Sequence, residues 1–376
     1  MSESTDGPVP ANPPTDAGPN AVAGAVPNGA LTGAALPHPL PDLEEVLADC
    51  AVVELPMTVR FRGIRAREAL LLRGPLGWAE FGAFPEYGDD EAVAWWRSAL
   101  EAGWSGFPEP RRTRIPVNAT VPAVPAREVA RVLRGYGDGI EAVKIKVAEP
   151  GQSLEDDDAR VAAVRAALPQ ARLRVDANAA WGVEEAVEAL VRLSRHGLEY
   201  AEQPGAGIRE LAQIRERLHD RGAPVLIAAD ESVRRAEDPL AVARAGAADL
   251  IVVKAAPLGG VRRALAVVEA SGLPAVVSSA IDTSVGLRAG VALAAALPQL
   301  PYACGLGTGA LLVSDVTREP LRPVGGMLPL RPVVVDRDLL AEHRVAPGRE
   351  RWWRERAGRV HALLSAQESR RSTRSP

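Results

Sequence analysis

From Arg114 to about residue 330 the chain repeats one pattern. Short apolar runs with β-like alternation give way to longer stretches with apolar residues at helical spacing, often closed by a glycine. The strand candidates are "IPVNATV", "AVKIKVA", "ARLRVDAN", "GLEYAEQP", "PVLIAADES", "ADLIVVKAA", "LPAVVSSAID" and, more faintly, "LPYACGLGTG"; the helices between them include "DARVAAVRAAL", "VEEAVEALVRLSRHG" and "VRRALAVVEASG". Eight strands and seven clear helices predict an α/β fold, a (β/α)7β barrel of the modified TIM type. An open doubly wound sheet has the same alternation and is the competing architecture. Residues 41–110 read differently: two β-like runs, "CAVVELPMTV" and "REALLLRG", lead into a helical "DDEAVAWWRSALEAG". "RWWRERAGRVHALL" is a further helix near the end.

Polar residues recur at one place in each unit, the carboxyl end of the strand. They are Lys144 and Lys146, Asp176 with Asn178, Glu202 with Gln203, Asp230 with Glu231, Lys254, and Ser278 with Ser279. From Lys146 onward the steps are 30, 26, 28, 24 and 24 residues, about one strand–helix unit each. A (β/α) barrel carries its active site on that face, and stability alone asks for no charge there on successive strands.

Composition sharpens the picture at the lysines. Of 44 basic residues only Lys144, Lys146 and Lys254 are lysine, and all three sit in strand-like contexts. A chain that writes arginine wherever a positive charge suffices keeps lysine where arginine cannot serve, and the main such task is giving up a proton. Lys144 and Lys146, two apart on one strand, share a face. The net charge of −4 gives no reason to expect nucleic acid or an anionic membrane as partner. Cys50 and Cys304 make neither a disulfide framework nor a zinc motif and fit a reducing cytoplasm. No apolar run has the length of a membrane span. Residues 1–40 are rich in Pro, Gly, Ala and Asn, without periodicity or a basic start, and read as a disordered extension; residues 366–376 read as a loose tail.

Asp176, Glu202 and Asp230 would converge from three adjacent strands. Carboxylates so gathered repel unless a cation sits among them. An all-oxygen set without His or Cys points to a hard ion, Mg²⁺ or Mn²⁺. With Lys146 on one side and Lys254 on the other, a small-molecule carboxylate bound there would hold its α-carbon between two amines. Lys146 is the expected base, and Lys144 is expected to lower its pKa by proximity.

"KIK", "DAN", "EQP", "DES", the Lys254 strand and "SSAIDTSVG" occur in the order seen in the enolase superfamily, which the chain resembles, in its muconate-lactonizing subgroup. "FRGIRARE", "GWAEFGAFPEY" and "SSAIDTSVGL" make it most similar to the actinobacterial o-succinylbenzoate synthases. The resemblance covers about residues 50–330. It implies an α+β capping domain over residues 41–110, a barrel over 111–330, and a segment over 331–365 that returns to the cap. It implies lid loops with Arg62, Gly63 and Phe84 as contacts, and a succinyl tail held by Ser278, Ser279 and Thr283, with Asn178 beside it. The implied reaction is Mg²⁺-dependent syn dehydration of 2-succinyl-6-hydroxy-2,4-cyclohexadiene-1-carboxylate to 2-succinylbenzoate, a step of menaquinone biosynthesis, through a stabilised enediolate with Lys146 as base and Lys254 as charge stabiliser. "GWAEFGAFPEY" departs from the subgroup's commoner "GWGE" form. An N-succinylamino acid racemase, a dipeptide epimerase or a muconate cycloisomerase would use the same constellation. "GLGTG" (305–309), a possible nucleotide loop, lacks the acidic partner of a dinucleotide site and is read as a tight barrel-closing loop. An intact set of base and ligands argues against a non-catalytic scaffold.

Overall fold

The structure, a computed structural model, describes Leu36, residues 40–61, 63–223, 225–235 and 241–372; most of the expected extension and Arg62 lie outside these. A short helix, α1 (Leu43–Ala48), leads into β1 (Cys50–Phe61), β2 (Ile64–Gly74) and β3 (Gly77–Phe81), an antiparallel sheet in that order. The long apolar runs of β1 and β2 follow from burial on both faces. Val52, Leu70, Leu72 and Phe81 face a helical layer, while Val53, Leu55, Ala69 and Leu71 join the core shared with the barrel. The helical layer is α2 (Asp89–Leu100), continued by a π turn to Ser105, and the last helix of the chain. Leu36 also packs in this layer's core.

The second region is a seven-stranded sheet: β5 (Ala119–Val121), β6 (Ala142–Lys146), β7 (Arg172–Asp176), β8 (Leu198–Glu202), β9 (Leu226–Ala229), β10 (Leu250–Val253) and β11 (Ala275–Val277), adjacent in chain order. All its pairings are parallel. β4 (Arg114–Pro116) pairs instead with β12 (Met327–Pro329) as a small antiparallel ladder. The connecting helices are α3 (Val129–Arg134), α4 (Leu154–Ala167), α5 (Val183–Ser194), α6 (Ile208–Asp220), α7 (Glu231–Arg235), α8 (Ala241–Arg244), α9 (Val261–Ser271) and α10 (Ser284–Ala296). α4 starts at a capping box in which Ser153 and Asp156 satisfy each other's backbone amides.

The faint eighth strand is reduced to a two-residue bridge. Cys304 pairs with Val117 and Gly305 with Ser278. The Cys304 amide donates to Pro116 (2.7 Å) and the Gly305 amide to Val277 (2.7 Å), which closes the barrel between its first and last strands. A Cβ at Gly305 would stand 2.6 Å from Ser278 Oγ, so this close approach requires glycine. "GLGTG" is therefore the closing segment, with a 3₁₀ turn from Gly307 to Leu311.

After α11 (Arg337–Glu342), α12 (Pro347–Ser372) places Trp353, Ala357, Val360 and Leu364 on one face against α2. Its helix continues past residue 366, where a loose tail was expected. Glu368, one turn beyond Leu364, is fixed by Arg97 Nη1 at 2.6 Å. Among the described residues no helix is long and apolar enough to cross a membrane.

The sheet of the first region meets the barrel at a buried polar joint. Glu80 of β3 and Arg67 of β2 reach the loop between β11 and α10. Burial, then the Asp282 carboxylate, pushes the Glu80 carboxyl up to about 8, opposed by Arg67 and the Thr283 hydrogen bonds. A carboxyl that holds its proton more tightly in the folded chain contributes stability that is whole below its unfolded value of about 4.3. That contribution is lost as pH rises through about 8. Thermal melts between about pH 5 and pH 9 are expected to show falling stability in the wild type and a shallower fall in Glu80→Gln.

Candidate active site

Strand register puts the candidate residues at one height. Lys146 is paired with Asp176, and Asp176 with Glu202, across β6, β7 and β8. Asp230 follows β9 and Lys254 follows β10, so the order around the mouth is lysine pair, three carboxylates, lysine. Each of these residues is at least 91% buried, yet all six line one cavity together with Asn178, Ser278 and Ser279. Two residues earlier on the same three strands, Lys144, Arg174 and Tyr200 form the next interior layer, with the guanidinium 4.8 Å from the Tyr200 ring.

Backbone strain concentrates at the same rim. Among the described residues the non-glycine residues with left-handed backbone are Ala148, Asn178, Ala179, Gln203 and Ile281, each within four residues of the end of a barrel strand. Such conformations persist where the surroundings over-determine them. At Gln203, for example, the side-chain oxygen accepts from the Asp230 amide (2.9 Å) and the Ser232 amide (3.2 Å), which ties the β8 loop to the β9 loop.

The charges are interleaved. Lys146 Nζ lies 2.6 Å from Asp176 Oδ2 and 2.5 Å from Asn178 Oδ1. Lys144 Nζ bridges Asp176 Oδ2 (3.0 Å) and Glu202 Oε1 (2.8 Å), and Lys254 pairs with Asp230 Oδ2. Burial alone would neutralise Asp176, but the two ammonium groups outweigh it and hold the carboxyl well below the usual range. Glu202 goes the other way: burial, then the Asp176 charge, push it up to about 7. Lys144 stays charged. Burial opposes its charge, but Asp176 and Glu202 prevail and raise its pKa well above the ordinary value, so its charge serves those two carboxylates.

The three carboxylates suit a divalent ion in donor chemistry: all oxygen, all buried, on three adjacent strands, with Glu202 raised by burial and by its acidic neighbours. As they lie, the lysines engage their oxygens, and among the described residues no three Asp, Glu, His or Cys side chains are gathered closely enough to hold an ion.

Other expected contacts fall elsewhere. Thr283 does not line the cavity: it is fully buried, it caps α10, and its hydroxyl donates to Glu80 Oε2 (2.6 Å). Phe84 is not at the mouth; it is buried in the first region's core with Arg67 stacked 4.4 Å from its ring. Gly63 lines a cleft that adjoins Lys146 and Asn178, and its φ of +79° makes the β1–β2 turn. Phe61, Thr120, Ile281 and Thr308 line the cavity without having been singled out. Phe61, with Lys146 Nζ 5.3 Å from its ring, comes from another sheet, and no spacing in the chain announces it.

The enolase C-terminal domain-like family model matches residues 126–333, and the enolase N-terminal domain-like model matches 52–103. The chain belongs to the enolase superfamily. This superfamily member is 53% identical over 326 residues to a Mycolicibacterium smegmatis protein named o-succinylbenzoate synthase, covering 86% of this chain and 99% of that one. A Mycobacterium leprae protein of the same name is 52% identical over 326 residues, covering 86% and 95%. Among solved structures, the muconate lactonizing enzyme from Pseudomonas putida superposes with a TM-score of 0.65 at 22% identity, over 79% of this chain and 98% of that one. That last likeness speaks for the fold, a capping domain on a modified TIM barrel. Enzymes of the superfamily generally use a divalent metal ion.

Proposed function

We propose that the chain is an o-succinylbenzoate synthase, removing water from 2-succinyl-6-hydroxy-2,4-cyclohexadiene-1-carboxylate to give 2-succinylbenzoate, a step toward menaquinone. The observation that carries the reading is the identity of 53% over nearly the whole length of a protein of that name. The arc of lysine, three carboxylates and lysine fits the chemistry the name demands.

Asp176, Glu202 and Asp230 would hold Mg²⁺, with Mn²⁺ as a substitute. The ion, when bound, supplies positive charge to the substrate carboxylate and so acidifies the neighbouring C–H. Lys146 takes the proton from that carbon. The electron pair of the broken C–H bond forms the new ring double bond as the C–O bond to the hydroxyl breaks, and the proton on Lys146 leaves with the hydroxyl as water. One base serving both steps makes the elimination syn. Asn178 Oδ1 and Asp176 Oδ2 aim the Lys146 amine, and Lys254 contributes charge from the opposite side. Ser278 and Ser279 form the wall for the succinyl tail. Aromatisation drives the step forward, so acidifying one carbon is the site's main task.

Racemases and epimerases of acylated amino acids need a base on each face, and Lys146 with Lys254 would supply them. The test is to offer the purified protein, in deuterated water with Mg²⁺, the cyclohexadiene carboxylate and N-succinylamino acids in parallel. Loss of water from the first is the expected result. Deuterium exchange in the second, with the first left intact, would transfer the site to another substrate.

A further inference from the structure

We propose that Glu80 and Arg67, two side chains of the antiparallel sheet, are positioning residues that clamp the barrel loop Ser278–Thr283 and thereby set the substrate wall of the active site. The proposal rests on the dehydratase reading for its substrate, while the clamp itself stands on geometry.

The loop is strained and serves the cavity. Ser278, Ser279, Ala280 and Ile281 line it, and Ile281 has φ +62°, a value that a β-branched side chain makes costly. Such a residue reverts unless something holds it. Arg67, 1% exposed, donates from Nε to the Ile281 carbonyl at 3.1 Å and from Nη2 to the Gly82 carbonyl, so one guanidinium ties the strained peptide to the end of β3. Glu80 Oε2 accepts from the Thr283 amide (3.0 Å), the Thr283 hydroxyl (2.6 Å) and the Gly286 amide (3.2 Å). One Glu80 carboxyl oxygen thus accepts from donors at the first turn of α10 while standing on a different sheet.

Two glycines show that the joint is built for this contact. A Cβ on Gly286 would lie 2.6 Å from Glu80 Cδ, and one on Gly82 would lie 2.6 Å from Glu80 Oε1 and 2.7 Å from Arg67 Nη2. Neither has a positive φ, so the requirement is space for the clamp. Arg67, Glu80 and the loop occupy the three words "FRGIRARE", "GWAEFGAFPEY" and "SSAIDTSVGL", which are distant in sequence and meet here. None of the clamp residues touches the lysine–carboxylate arc in the hydrogen bonds above. Seating of the sheet on the barrel therefore shapes the wall and leaves the base alone.

Gly286→Ala is the sharpest variant, because it removes no polar group, favours the α10 helix by intrinsic propensity and still displaces Glu80. Glu80→Ala removes the acceptor, and Glu80→Gln restores one. In the full-length protein with Mg²⁺, Gly286→Ala and Glu80→Ala are expected to raise KM about tenfold with kcat nearly unchanged, and Glu80→Gln to recover most of the loss. Amide hydrogen exchange over residues 278–286 should quicken in the first two variants and stay slow in the barrel strands. Unchanged exchange over that segment would overturn the clamp. So would a fall in kcat matching the fall in kcat/KM, or a Glu80→Gln variant as poor as Glu80→Ala. If the wild type shows no dehydration, the dehydratase reading fails by itself, and the exchange rates alone decide the clamp.

Discussion

Lys146→Ala is expected to lower kcat by about 10²–10⁴-fold, the range that a positioned general base contributes, and Lys146→Arg is expected to do no better. The arginine variant is the informative one. It keeps a positive charge near Asp176 Oδ2 and Asn178 Oδ1, where Lys146 Nζ now sits at 2.6 and 2.5 Å. A guanidinium stays protonated at any working pH, so it preserves the electrostatics and cannot take a proton. Steady-state kinetics on both variants, with circular dichroism to check folding, separate the two functions of the residue. An arginine variant with near-wild-type kcat would mean that Lys146 acts by charge alone.

The carboxylates carry the second large effect. Asp176→Asn is expected to abolish turnover and, in metal-free protein, to lower the unfolding free energy by about 3–5 kcal/mol, because it leaves buried charge without its partner. The charge in question is that of Lys144 and Lys146, both of which lie on Asp176 Oδ2. Glu202→Gln should abolish turnover as well but cost clearly less stability. Its carboxyl is already pushed up to about 7 by burial and by the neighbouring Asp176, so near neutral pH the amide replaces a group poised to lose its charge. Denaturant titration of both variants with a chelator present checks the ordering. Equal losses would contradict the charge distribution described for the arc.

Much of this site could be read in the chain because a barrel turns sequence period into position. One polar residue per strand–helix unit, at the strand's carboxyl end, becomes a ring at one height. Lys146, Asp176, Glu202, Asp230 and Lys254 were legible for that reason, and register confirms their neighbourhood. The closing strand was faint because it makes only a two-residue bridge, and glycines for close packing leave little β pattern. The contacts that cross from one sheet to the other were illegible. Phe84 follows the "GWAEFG" word, yet its ring turns inward under Arg67. Thr283 sits two residues beyond the cavity-lining Ile281, yet its hydroxyl belongs to Glu80. Neither outcome has a period in the sequence: the first is decided within the first region's own core, the second by how its sheet meets the barrel. The bond from Lys144 to Glu202 was equally hidden, because the two lie 58 residues apart in the chain.

On the proposed reading the arc, with a divalent ion, removes water from a cyclohexadiene carboxylate. The most direct measurement is the absorbance of the aromatic product when the wild-type protein is given the substrate with Mg²⁺, and again after chelation. Steady formation of 2-succinylbenzoate that stops with the chelator and resumes when the ion is restored is the expected result. A folded, ion-supplied protein that leaves the substrate unchanged, or turns it over equally well without the ion, would contradict it.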